Sequence, residues 1–339
     1  MQKQSRDEIE LQISLLTQEV IFLGPMKAQS NRFFWLTILL LVVGSSVHCS
    51  KEKSEPVLLS LRLQKGEEYK EISTTESKIQ MGAKEKIEIT LKMISGITQK
   101  IENTDANGDM TVKATYDWVD LYGKALGTEK HFDTRVPQPN TPEALAQLPG
   151  KSFQAVFNAR GEILSISDPS QIFELMEKAG EELFLTEVSQ EDKNLPSLSE
   201  ETKKQLLQAF TYIPTRPVKV GEHWQTNFRS RRFLYFDGTV DFVLSQSKDG
   251  IAQMDFTFKA VPVPPEPDSS TSGGEKLKVM ASGEGKGRIK VSEKTGALLL
   301  YERSETYFGE GIGTVPGKTE PVKFPVQVQN TLRIEDHSK

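Results

Sequence analysis

Gly150-Lys151-Ser152 has the residue types that end a phosphate-binding loop, where backbone amides and a lysine hold phosphate oxygens. The glycine that such a loop requires five residues earlier is replaced by Leu145. The segment also leads into a strand-like sequence, whereas a phosphate loop leads into the N-terminus of a helix. We therefore predict no nucleotide site here.

Asp105, Asn107 and Asp109 have the spacing of the first three oxygen ligands of a calcium loop. In such a loop the glycine stands at position six and a bidentate glutamate at position twelve, whereas this chain has Gly108 at position four and Tyr116 at position twelve. A β-turn around Asn-Gly explains the same residues without an ion. We predict no metal site and no cofactor.

Catalytic patterns give no better candidate. The chain has no G-x-S-x-G motif, which marks the nucleophile of many hydrolases. His131, His223 and His337 do not have the spacing of paired metal ligands. We predict no catalytic residue and no enzyme activity.

Cys49 is the one residue with a clear chemical prediction. It follows the apolar run Phe33–Val43, which Lys27 and Arg32 precede. The run suits a signal peptide and is short for a bilayer-spanning helix, which needs ~20 apolar residues. A thiol directly after the cleavage site accepts a diacylglycerol group, so we predict lipid attachment at Cys49. An uncleaved anchor and an incidental thiol are the alternatives.

The segment before the signal is acidic, whereas export signals begin with positive charge. We predict that translation starts at Met26, that residues 1–25 are an upstream extension, and that residues 26–48 form the signal peptide. Residues 49–56 then form a charged tether.

The composition is that of a folded domain without disulfides. Charged residues make up 26% and apolar residues 37% of the chain, and the net charge is −5. This charge disfavours nucleic acid as a partner, since phosphate binding needs a clustered positive field. The chain has a single cysteine, already assigned to the anchor, so the fold depends on apolar packing and backbone pairing.

Alternating apolar and polar residues dominate the mature chain and predict half-buried antiparallel strands. The alternating stretches include 87–93, 110–118, 240–244, 252–258 and 322–328. Turn pairs punctuate them at Asn107-Gly108, Arg160-Gly161, Asp237-Gly238, Asp249-Gly250 and Thr295-Gly296. Glycine-rich Gly283–Gly287 and Gly309–Gly313 indicate bends or bulges in strands.

Helical periodicity replaces alternation in the middle of the chain. Asp168-Pro169 precedes a helix over 170–184, with Ile172, Leu175, Met176, Ala179 and Leu183 on one face, and a second helix follows over 200–210. The predicted fold is mainly β, with curved antiparallel sheets forming a half-barrel or sandwich in two related halves. The predicted organisation is a first β half (57–167), a two-helix insertion (168–212) and a second β half (213–335) with a mobile loop (262–274).

The lipobox-like Cys49, the strand motif around Leu63–Tyr69, the Asp/Asn-Gly turn at 105–109 and the G-K-x-F and G-x-I-L motifs at 150–164 resemble uncharacterised, spirochaete-like bacterial lipoproteins of unknown function. The resemblance implies a β fold and a location in the cell envelope, lipid-anchored to the outer membrane, with the globular part periplasmic or extracellular. It implies no activity.

Two functions remain open at this point. Trp118, Met254, Phe256 and Phe258 lie on single strand faces, which suits a module that binds a lipid or another apolar ligand; a packed core is the alternative. The anchor, tether and loop suit a surface-exposed interaction protein with an envelope partner. We expect a non-catalytic binding or structural module.

Overall fold

The computed structural model describes residues 55–82, 86–125, 127–136, 138–167, 171–172, 174–176, 178–179, 213–214, 216–231, 234–264, 277–313 and 322–338. These residues form one antiparallel sheet of twelve strands, which confirms the predicted fold class. The strands are β1 Glu68–Met81, β2 Ile87–Thr104, β3 Met110–Ala125, β4 Thr128–Asp133, β5 Ser152–Phe157, β6 Ile163–Ser167, β7 His223–Arg231, β8 Leu234–Lys248, β9 Ile251–Pro262, β10 Leu277–Ser292, β11 Leu298–Gly313 and β12 Val322–Asp336. A short helix, α1 (Glu143–Ala146), was not predicted.

The strand order is β6-β5-β3-β2-β1-β12-β11-β10-β9-β8-β7, with β4 beside β3. The first and last strands are therefore neighbours in the middle of the sheet. Strands β1 to β6 lie on one side of this junction and β7 to β12 on the other. Whether the two sides share an ancestor stays a prediction.

The alternation places one side chain of every two on a shared apolar face, which we call the inner face. On β12 the buried side chains Phe324, Val326 and Val328 alternate with more exposed ones. On β2 the buried residues Ile87, Ile89 and Leu91 do the same. These residues join one buried cluster that draws on strands from both sides of the sheet.

A strap of chain, residues 57–63, shows that the sheet is strongly curved. Val57 pairs with Val218, which packs beside β8, and Leu61 N donates to the carbonyl of Ala159 in the β5–β6 turn (2.8 Å). In a flat sheet β5 and β8 would lie roughly 38 Å apart, at ~4.8 Å per strand. Val57 and Leu61 can be at most ~14 Å apart along the chain. The sheet is therefore curled into a half-barrel, and the strap bridges its two margins at one end.

The helical segment confirms the first predicted helix as far as it is described. Residues 171–172, 174–176 and 178–179 are helical, and Ile172, Leu175, Met176 and Ala179 are buried in the same cluster as the inner face. Asp168-Pro169, Leu183 and the predicted helix over 200–210 lie outside the described residues, as does most of the loop 262–274. No helix in the described part of the chain has the length and hydropathy needed to cross a bilayer.

Four of the five predicted turns are confirmed, and the fifth is wrong. Asp237-Gly238 lies inside β8, paired with both β7 and β9. A Cβ atom at Gly238 would meet the ring of Phe228 at 2.4 Å. The glycine is present because an aromatic ring packs across the strand, rather than because the chain turns.

The prediction of a bend or bulge at Gly283–Gly287 is also wrong. It runs through a regular part of β10, whose register shift lies further on, between Lys290 and Val291. A Cβ atom at Gly283 would approach Tyr307 to 2.5 Å, and one at Gly285 would approach Cγ of Glu305 to 2.8 Å. These glycines make room for large side chains of β11, so they mark close packing rather than bends.

Candidate functional site

Polar side chains interrupt the apolar inner face in one row across the centre of the sheet. Ser77 on β1 faces Asn330 on β12, and Asn330 faces Glu305 on β11. Their exposed fractions are only 2%, 4% and 8%. The Ser77 hydroxyl donates to Oδ1 of Asn330 at 2.8 Å. We call these three residues and Arg303 the polar belt.

Arg303 and Glu305 form a buried ion pair in the polar belt. The side chain of each is 8% exposed, and Nε of Arg303 lies 3.5 Å from Oε1 of Glu305. The Tyr307 hydroxyl donates to Oε2 of Glu305 at 3.1 Å. Burial raises the pKa of Tyr307 well above its usual value, and Glu305 raises it further. The tyrosine therefore stays a hydrogen-bond donor, and the pair carries no net charge.

Next to the polar belt, towards the strap, the inner face is only partly buried. The half-exposed side chains here are Ser73, Thr75, Met93, Ile97, Tyr116 and Ile334. We call these six residues the inner strip. They are bounded by the large cluster on one side and, on the other, by the smaller buried cluster of Ile101, Met110 and Val112.

Burial affects two titratable groups in this region. Burial raises the pKa of Tyr116 to about 12. Burial also raises the pKa of Glu71 to about 7, although Gln99 donates to its carboxylate at 2.7 Å. Both residues are half-buried. The surrounding protein therefore disfavours charge at both positions.

The inner strip combines aliphatic side chains with small polar ones. Met93, Ile97 and Ile334 offer aliphatic contact, and Met adapts its shape to irregular partners. Ser73 and Thr75 add small hydroxyls. Ligand pockets combine such apolar walls with a few polar groups that fix orientation. The polar belt supplies those groups at one edge of the strip.

A separate surface cleft of about 670 Å³ lies at the margin of the sheet, beside β4 and α1. Phe132 lines it and also belongs to the large buried cluster. Lys130 lies on the same side of β4, half-buried, with its pKa lowered by burial. His131 lies on the other side and contacts Asp120 at 2.8 Å between Nε2 and Oδ1.

The candidate residues predicted from the sequence are distributed across the molecule rather than gathered at the strip. Cys49, the predicted lipid-attachment residue, lies outside the described residues. Met254, Phe256 and Phe258 are buried, 0–6% exposed, and pack as core. Trp118 is covered by the guanidinium of Arg135, whose Cζ lies 3.9 Å from the ring centroid.

The predicted turn at 105–109 also has a structural explanation. The Asp105 carboxylate accepts hydrogen bonds from the backbone amides of Asn107 and Asp109, at 2.8 and 2.9 Å. His131 lies in β4, because 128–133 pairs with the end of β3. Within the described ranges, no three His, Cys, Asp or Glu side chains come close enough together to hold a metal ion.

The polar belt was not predicted from the sequence, although the sequence contains a pattern that indicates it. In β12 the buried positions read Phe324, Val326, Val328, Asn330 and Leu332, so that Asn330 breaks an apolar series. Arg303 and Glu305 break the corresponding series in β11. A polar residue at an inward position of a regular strand is the pattern that identifies such a site.

Comparisons with solved structures show weak likeness. A lipovitellin structure, titled for its lipid–protein interactions, has a TM-score of 0.41 and 9% identity, covering 81% of this chain and 25% of that one. The Pseudomonas aeruginosa protein OccK11 (OpdR) covers 81% of this chain and 98% of its own length, with a TM-score of 0.16 and 6% identity. The chain thus spans a quarter of the lipovitellin chain that it matches.

None of the curated proteins compared with this sequence matches it. A family described as "Family of unknown function (DUF6263)" matches residues 107–298, more than half of the chain. That range runs from the turn before β3 to the beginning of β11 and so includes strands from both sides of the sheet. The chain therefore belongs to the DUF6263 family.

Proposed function

We propose that this protein is a lipid-anchored, non-catalytic protein of the cell envelope that binds an acyl chain or similar apolar ligand in its half-barrel. The observation that carries the proposal is the inner strip: side chains on the inner face of the curled sheet that remain partly exposed between two buried clusters.

The burial of an apolar chain supplies enough free energy to bind a small ligand. Each buried methylene contributes ~0.8 kcal/mol, so a chain of about ten methylenes offers enough to offset the cost of immobilising it. Met93 and Ile97 lie on β2 with the buried Ser95 between them, and Ile334 lies on β12, across β1. On this part of the inner face their apolar side chains alternate with the hydroxyls of Ser73, Thr75 and Ser95.

The proposed anchor fits the position of the strap. Cys49 precedes Val57 closely in the chain, and an extended segment of that length reaches at most ~29 Å. Lipid on Cys49 would therefore hold the strap end of the half-barrel near the bilayer. Intact-mass analysis of the native protein tests this: we expect cleavage before Cys49 and added acyl mass, and a free thiol would refute the anchor.

The binding proposal is tested with two lysine variants of one strand. Ile97→Lys places a charge in the inner strip, whereas Ile94→Lys places the same charge on the outer face of β2. Both positions are half-exposed, so their effects on folding should be similar. Binding of a fluorescent hydrocarbon probe to the delipidated mature protein is titrated for each variant.

We expect Ile97→Lys to weaken binding at least tenfold and Ile94→Lys to leave it unchanged. Native mass spectrometry of protein from its own host should also show a copurifying lipid. Absence of saturable binding in the wild type, or equal affinity in the two variants, would overturn the proposal.

A further inference from the structure

The polar belt contains a buried hydrogen-bond donor with no partner in the described structure. Nδ2 of Asn330 is inaccessible to solvent and makes no hydrogen bond to a described residue. The other end of the amide is occupied, since Oδ1 accepts from Ser77. A buried amide left unsatisfied costs about as much as a lost hydrogen bond, so native proteins seldom leave one.

The position of this donor relates it to the inner strip. Asn330 lies on β12 between Val328 and Leu332 on the inner face. Thr75 of the inner strip faces Leu332, one inner position nearer to the strap than Asn330. An apolar chain that lies along the inner strip with its polar end towards Asn330 would bring that end to the polar belt, where side chains would have to move to open Nδ2 to it.

The charges beside Asn330 determine which polar group of a ligand could bind there. Arg303 and Glu305 neutralise each other on β11, beside Asn330. A carboxylate buried next to this neutral pair would lose its hydration without gaining a counter-ion, whereas an uncharged carbonyl oxygen would accept from Nδ2 at a much lower cost.

We propose that the ligand is an acyl ester, and that Nδ2 of Asn330 donates to its carbonyl oxygen. This inference rests on the proposed function and specifies the ligand class for the same site. It accounts for the unsatisfied amide, the neutral ion pair beside it and the apolar strip leading away from it. Asn330 is in this sense a specificity-determining residue.

The test compares lipids that differ only at the carbonyl. 1-Monooleoylglycerol, its ether analogue 1-O-oleylglycerol, and oleate each displace a fluorescent hydrocarbon probe from the delipidated protein. We expect the wild type to bind the ester about tenfold more tightly than the ether, the value of one hydrogen bond. Oleate should also bind more weakly than the ester at pH 8.

Asn330→Leu should lower ester affinity to that of the ether and leave ether affinity unchanged. Gln329→Leu removes an amide from the outer face of the same strand and serves as the control, with the ester preference retained. If Asn330→Leu folds poorly, the double variant Ser77→Ala/Asn330→Leu removes both hydrogen-bonding partners and leaves no buried group unpaired.

Equal affinity for ester and ether in the wild type would refute the role of Asn330 while leaving the binding function intact. An ester preference that survives Asn330→Leu would refute it as well. Failure of the hydrocarbon probe itself to bind would instead overturn the proposed function, so the two failures are distinguishable.

Discussion

Ser77 and Asn330 join the first strand of the sheet to the last, through a buried hydrogen bond of 2.8 Å between residues 253 positions apart. Both lie on the inner face, where apolar side chains surround them. The bond fixes the register of β1 against β12, because a shift of one residue would turn Asn330 out of the interior.

Ser77→Ala should destabilise the fold by about 1–3 kcal/mol, because it leaves Oδ1 of Asn330 buried without its donor. The double variant Ser77→Ala/Asn330→Leu should recover most of that loss. Urea unfolding measures both free energies. A double variant less stable than Ser77→Ala alone would contradict this account.

The strap should be sensitive to a single methyl group at Gly296. This glycine has φ of +71°, and a Cβ atom there would lie 2.3 Å from the carbonyl oxygen of Ser60 in the strap. We expect Gly296→Ala to lower the free energy of unfolding by about 3 kcal/mol and to speed hydrogen exchange at the amides of Val57 and Leu61.

Gly250→Ala is the matched control for that variant. Gly250 has a similar φ of +76°, but nothing lies within 4 Å of the position of its Cβ. Its substitution should cost only the backbone strain, about 1 kcal/mol, and leave strap exchange unchanged. Similar exchange rates at Val57 in both variants would show that the strap does not depend on the contact.

Glu71 should make stability fall as pH rises. Burial raises its pKa in the fold from 4.5 to about 7. The folded state therefore holds a proton that the unfolded chain has already released, and this contribution, complete below pH 4.5, is lost between pH 4.5 and 7.

Glu71→Gln keeps an oxygen for Gln99 and removes the titration. At pH 8 the variant should be more stable than the wild type by about 1–2 kcal/mol, a value reduced for the partial exposure of Glu71. Below pH 4.5 the two proteins should be similar. Unfolding free energies measured from pH 4 to 8 should converge at acid pH, and parallel curves would count against the raised pKa.

Gly238 and Phe228 should show strong energetic coupling. Gly238→Ala alone places a methyl group against the ring of Phe228, at 2.4 Å in the present geometry, and should destabilise by about 1–3 kcal/mol. In a Phe228→Leu background the same change should cost much less. A double-mutant cycle with additive effects would show that the ring does not explain the glycine.

Local patterns in the sequence predicted the strands well because most inward positions are apolar and most outward ones are polar. The alternation at 252–258 and 322–328, for example, corresponds directly to buried and exposed positions of β9 and β12. The helix face containing Ile172 and Met176 was predictable for the same reason, since its partner is the same apolar interior.

The strand order and the polar belt could not be predicted from local sequence patterns. The pairing of β1 with β12 joins the two ends of the described chain, and no local pattern contains that contact. Gly238 was misjudged because an Asp-Gly pair favours a turn by itself, whereas here the ring of Phe228 determines the need for glycine. The pairing of β1 with β12 and the glycine at position 238 both depend on contacts between strands rather than on local sequence.

The strap also has a mechanical consequence. Val57 and Leu61 bond to opposite margins of the sheet within one short stretch, immediately after the segment that begins at Cys49. Tension on that segment would load both margins together, through three main-chain hydrogen bonds of Val57 and Leu61. A pull from the N-terminal side would thus act on the strap before it acted on any strand, while the shared buried cluster kept the two margins together.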